Sequence, residues 1–233
     1  MLSGGCELAR LIFAINYKAY ETAFNERSLD IARAASRLSS RYQGVRIILA
    51  VPAAVMGRIL QAYEDVYVEH VDPIDFGAYT GYLPASAAKL IGAKGVLANH
   101  SEHKMVYRDV EKVVKAVKAQ GLEVMTCADT PGEAAGLAYL RPDFIAIEPP
   151  ELIGTGISVS RARPEVITDG VKAVKAIADI PVLAGAGITY REDVIKAIEL
   201  GASGILLASA VMKAKEPEKV MEEFADALSS LAR

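Results

Sequence analysis

The feature that most constrains this chain is an alternation repeated eight times. Short runs of β-branched and other apolar residues alternate with longer amphipathic stretches from end to end. The strand-like runs fall at 11–15, 45–50, 66–71, 95–98, 123–127, 143–147, 181–184 and 204–207. The helical stretches fall at 28–42, 55–63, 85–91, 109–120, 131–139, 164–178, 192–200 and 217–231. Pro131, Pro164 and Pro217 stand near helix starts, where a missing N–H costs nothing. Gly121 and Gly201 stand just past helix ends, where the chain turns left-handed.

Strands joined by helices run parallel, because a crossover returns the chain to the same end of the sheet. Ile47-Ile48-Leu49 and Ile205-Leu206-Leu207 are apolar on both faces, as strands must be when helices cover one side and packed side chains the other. The expected fold is therefore of the α/β class, a closed eight-stranded parallel (β/α)8 barrel, with an open doubly wound sheet as the alternative. No Pro/Gly/Ser-rich linker or charge block interrupts the chain, so one domain over 1–233 is expected, with 1–10 as a leader strand or tail.

Composition excludes several function classes. A net charge of -3 with lysines scattered opposite acids, as in Glu111, Lys112 and Lys115, offers no face for nucleic acid. Every apolar run is broken before it could cross a bilayer, and no signal-peptide order opens the chain, so no membrane partner and a cytoplasmic location are expected. Cys6 and Cys127 lack CxxC spacing, so neither a disulfide framework nor a metal site is expected. The scarcity of Asn and Gln leans toward a heat-tolerant source.

In a closed barrel, chemistry belongs at the C-terminal ends of the strands. Those positions hold Asn16-Tyr17-Lys18, Asn99-His100-Ser101-Glu102, Glu148, Gly185-Ala186-Gly187 and Ala208-Ser209. Glycine and alanine after the last two strands let backbone N–H groups approach an anion, which makes a phosphate site. Lys18, His100 and Glu148 supply a cation, an imidazole and a carboxylate from three strand ends. That trio suits proton transfer beside a carbonyl. Prolines at 149 and 150 and glycines at 154 and 156 bracket a segment built like a lid on two hinges.

At these residues the chain resembles triosephosphate isomerase, most closely its short archaeal form, from Ile15 to Lys215. The resemblance implies a TIM barrel that interconverts glycerone phosphate and D-glyceraldehyde 3-phosphate through an enediolate, with no metal or organic cofactor. It implies that Glu148 is the base. His100 is then the neutral electrophile, in the first turn of a helix whose positive end disfavours the imidazolium. Lys18 holds the anionic substrate and pairs with Glu102, and Asn16 orients the substrate oxygen. Ile153, Gly154, Gly187, Ala208 and Ser209 give backbone donors to the phosphate. The segment 72–81, with Phe76, Tyr79 and nearby Tyr82, matches the family's intersubunit loop and implies a homo-oligomer, dimer or tetramer.

The chain departs from the common family pattern at Ile147, Gly187 and Ala208-Ser209, where an aromatic residue, a Ser and a Gly-Gly pair are usual. These three fit the archaeal form. His103 and Glu69, the latter where a glutamine is usual, have no account in the sequence. Two other readings compete. One is a different phosphate-binding barrel, thiamine phosphate synthase-like or indole glycerol phosphate synthase-like, which explains only the last third of the chain. The other is an inactive barrel serving as a binding module.

Overall fold

The computed structural model describes residues 10–232, so Cys6 and all of the expected N-terminal tail but Arg10 lie outside the described residues. The eight strands are β1 (Leu11–Asn16), β2 (Val45–Val51), β3 (Val66–Val68), β4 (Gly95–Ala98), β5 (Glu123–Ala128), β6 (Phe144–Ile147), β7 (Val182–Ala184) and β8 (Gly204–Leu207). Each pairs in parallel with the next in chain order, and β8 returns to β1, closing the barrel. The closing register sets Ile12 against Gly204 and Ile15 against Leu207. Closure settles the choice between barrel and open sheet, because an open sheet would leave two edges.

Two apolar layers follow from the alternation of side chains along each strand. Ile12, Ala14, Ile48, Leu97, Met125 and Leu206 are among those that fill the barrel. Phe13, Ile15, Ile47, Leu49, Ile145 and Ile205 face the surrounding helices. The narrow interior also demands small residues, and a Cβ on Gly204 would sit 2.2 Å from the Ile12 carbonyl oxygen.

At the N-terminal end of the barrel, Arg46 reaches Asp65 at 2.7 Å and Glu123 at 2.9 Å, and the Tyr67 hydroxyl donates to Glu123 at 2.7 Å. This polar plug was not foreseen. Its bonded pairs stand 19, 77 and 56 residues apart in sequence, too far for any local pattern to join them.

The expected elements appear with shifted ends. β3 stops at Val68 rather than 71, since the chain leaves the sheet once the Glu69 N–H has reached the Val51 carbonyl. The helix Ala53–Ile59 stops before 63, where the Tyr63 hydroxyl turns inward to the Ile47 carbonyl at 2.6 Å. Five short helical turns were missed: Glu21–Phe24, Ser101–His103, Pro150–Leu152, Val159–Ala162 and Ser209–Met212. Each is too short to show a 3.6-residue period. Four of them follow strand ends and so shape the mouth of the barrel.

Candidate active site

The mouth is assembled from backbone conformations that side chains hold in place. Asn16, the last residue of β1, accepts the Lys18 N–H on Oδ1 at 3.0 Å. Lys18 itself is left-handed, with φ 50, a conformation that is uncommon without glycine and needs such support. Its Nζ lies 2.8 Å from Glu102 Oε1. The expected pairing of these two residues is therefore present.

His100 follows β4 through Asn99, which is also left-handed at φ 60. The Asn99 amide donates to the Cys127 carbonyl and to Glu133 Oε1, both at 2.9 Å, and its oxygen accepts the Met105 N–H at 3.0 Å. Lys104 pairs with Glu133 at 2.8 Å and with Asp129 at 2.9 Å. Together these bonds fix the turn that carries the imidazole. Glu133, Lys104 and Asp129 were missed as supports, and their charge alternation on a surface loop gave no signal of a shared partner.

His100 precedes the turn Ser101–His103 rather than lying within it, and its Nδ1 accepts the Glu102 N–H at 3.1 Å. An imidazole nitrogen that accepts a hydrogen bond carries no hydrogen, so in this geometry the ring presents Nε2–H to the site. That Nε2 stands 3.2 Å from Glu148 Oε2. Both atoms are buried, and neither makes a directed hydrogen bond within the protein.

Glu148 leaves β6 with its N–H bonded to the Ala128 carbonyl at 2.9 Å. Room for its side chain comes from Gly185, because a Cβ there would lie 2.6 Å from Glu148 Oε1 and 2.7 Å from the Leu206 carbonyl. The sequence places Gly185 in the glycine-rich backbone expected to approach an anion; its packing role is to admit the carboxylate. Cys127, buried behind the site, has its thiol pushed well up, by burial first and the nearby Glu148 charge second. It is a packed side chain, not a nucleophile.

One small cavity is lined by Asn16, Lys18, Glu148, Ile153, Gly154, Gly187, Ala208 and Ser209, all expected, and by Tyr20, Ala186 and Leu207. His100 and Glu102 adjoin it through Glu148 and Lys18. Tyr20 could have been suspected only from its closeness to Lys18 in sequence. Among the described residues no cluster of three or more His, Cys, Asp or Glu side chains is arranged to hold a metal.

The model of the family described as triosephosphate isomerase matches residues 11–226. The chain belongs to the triosephosphate isomerase family. It is 47% identical over 214 residues to the triosephosphate isomerase of Saccharolobus solfataricus, covering 91% of this chain and 94% of that one. It is 44% identical over 217 residues to that of Archaeoglobus fulgidus, covering 91% and 96%. The corresponding protein of Methanocaldococcus jannaschii is 44% identical over 215 residues, covering 91% and 98%. A crystal structure of triosephosphate isomerase from Bartonella henselae superposes with a TM-score of 0.69 at 23% identity, over 92% of this chain and 99% of that one, a likeness of fold. These matches span the chain, whereas the other phosphate-binding barrels accounted only for its last third.

The two residues left without an account now have surroundings. The His103 ring stacks on His70, with centroids 4.1 Å apart and planes 14° from parallel. Glu69 lies beside Lys18 with Oε1 buried and unpartnered. Its carboxyl is pushed up to about 8 by burial, against a lowering backbone hydrogen bond from Lys18 and with a smaller raise from the Glu102 charge.

Proposed function

We propose that the protein interconverts glycerone phosphate and D-glyceraldehyde 3-phosphate by moving one proton between adjacent carbons. The observation that carries this is the pair Glu148 Oε2 and His100 Nε2, buried, 3.2 Å apart and both without a directed hydrogen bond. A carboxylate with free lone pairs is a base, and an Nε2–H held in the neutral tautomer is a donor for a carbonyl oxygen. A substrate carbon and its carbonyl oxygen between them would satisfy both.

In this reading Glu148 takes a proton from one carbon and returns it to the next, while His100 steadies the enediolate oxygen. Lys18, drawn toward the cavity from its Glu102 partner, neutralises the phosphate and the developing charge. Asn16 keeps Lys18 in its left-handed conformation and orients the oxygen. The N–H groups of Ile153, Gly154, Gly187, Ala208 and Ser209 receive the phosphate, and the lid over 149–156 keeps water from the enediolate. No metal or organic cofactor takes part. The chain works as one domain in the cytoplasm, and a second copy covers the arm at 72–81.

A coupled assay with a chelator present tests the activity directly. Glu148→Ala should lower kcat by roughly three or more orders of magnitude while thermal unfolding stays within a few degrees of the parent. Retention of full kcat would remove Glu148 as the base.

A further inference from the structure

Asp193 lies outside the proposed chemistry, yet the root of the lid and the phosphate turn both fasten to it. Its side chain is 0% exposed, in the first turn of the helix Arg191–Glu199. Oδ2 accepts the N–H groups of Thr189 and Tyr190, each at 3.0 Å, which fixes the end of the turn carrying Gly187. Oδ1 makes no directed hydrogen bond but lies 2.7 Å from Nε of Arg161, in the helix Val159–Ala162 at the C-terminal root of the lid. The Arg161 guanidinium also covers the Tyr190 ring at 5.5 Å.

The backbone joins in. The Ser160 hydroxyl donates to the Asp193 carbonyl at 3.0 Å and meets the Ser158 hydroxyl at 2.7 Å. The Val159 N–H reaches the Ala186 carbonyl at 3.1 Å. The lid root and the turn therefore meet both at Val159 with Ala186 and at Ser160 with Asp193. Receiving the Thr189 and Tyr190 N–H groups needs only a neutral acceptor, which Asn supplies without burying a charge. The charge at 193 has a purpose in Arg161.

We propose that Asp193 is a positioning residue that couples the lid root to the phosphate turn, so that donors from Gly154 and Gly187 close on the substrate phosphate together. This rests on the isomerase reading above. Uncoupling would loosen the grip on the phosphate and let the enediolate expel it. The enediolate oxygen then forms a carbonyl, the enediolate double bond shifts onto the carbon bearing phosphate, and the C–O bond to phosphate breaks with its electron pair leaving on the phosphate. Free inorganic phosphate is the readout, and no added oxidant or reductant is needed.

Asp193→Asn keeps an acceptor for both N–H groups and removes only the charge facing Arg161, while Arg161→Gln removes the exposed partner. Each should raise KM for D-glyceraldehyde 3-phosphate about tenfold, with a smaller fall in kcat, and raise the inorganic phosphate released per isomerisation. The double variant should be no worse than the more affected single one, since both break one interaction. Arg191→Gln, on the same helix but paired with Asp226, should move neither readout. Unchanged KM and phosphate release in Arg161→Gln, or fully additive effects in the double variant, would overturn the coupling. Should Asp193→Asn fail to fold, Arg161→Gln and Arg161→Ala decide alone by the same two readouts. An inactive parent protein would instead sink the isomerase reading itself.

Discussion

Glu69 is a carboxyl group in surroundings that suit an uncharged side chain. Its folded value of about 8 lies above the ordinary 4.5, so the folded chain keeps a proton that the unfolded chain gives up. The stabilising neutral form is fully favoured below about pH 4.5 and is lost as pH rises through about 8. Within that window stability falls by up to about 1.4 kcal/mol per pH unit. Glu69→Gln should flatten this dependence: its Tm should exceed the parent's at about pH 9 and match it near pH 5, measured by calorimetry. Equal pH slopes for the two proteins would assign the proton elsewhere. Lys18, His100 and Glu148 were legible as residues because each lies one or two positions past a strand end. Glu69 stood out only as a departure from the family, and Asp193 not at all, since an Asp in a first helical turn is what capping alone would produce.

The lid and the turn after β7 show what an element adds to its residues. Gly187 has φ 72, and a Cβ there would sit 1.9 Å from the Ile157 carbonyl oxygen. The Ser usual at this place in the common family form could not stand beside a lid root on this path. Gly187→Ala should displace the root, raise KM at least about tenfold and destabilise the fold by on the order of 1–2 kcal/mol. A KM within twofold of the parent's would show that the root yields without loss of grip. The strands were legible because burial on both faces leaves uninterrupted apolar runs, and the long helices because their faces alternate. The short turns at Ser101–His103 and Val159–Ala162 were not, since they are held by Asp129, Ala186 and Asp193, which are distant in sequence.

The arm after β3 bears on the whole molecule. Its base is closed by the Asp72 N–H to the Leu83 carbonyl at 2.8 Å and the Leu83 N–H to Asp72 Oδ2 at 2.7 Å. Beyond that base Phe76, Tyr79 and Tyr82 are 61%, 50% and 56% exposed, with the two tyrosine rings 6.1 Å apart. Apolar area displayed in one place is stabilised by a covering surface. The double change Phe76→Asp and Tyr82→Asp should therefore lower the mass in solution, read by light scattering, and reduce kcat/KM, because the arm roots beside Glu69 and Lys18. An unchanged mass would remove the arm as an interface. By itself the sequence determined the eightfold alternation, the closed barrel as the favoured architecture, and the strand ends where chemistry belongs, because burial and periodicity are written locally. Closure itself, the tautomer of His100, the room that Gly185 leaves for Glu148, and the meeting of Arg161 with Asp193 were decided only in three dimensions. Each depends on atoms from different β/α units, and their distance is set by the barrel and not by their spacing along the chain.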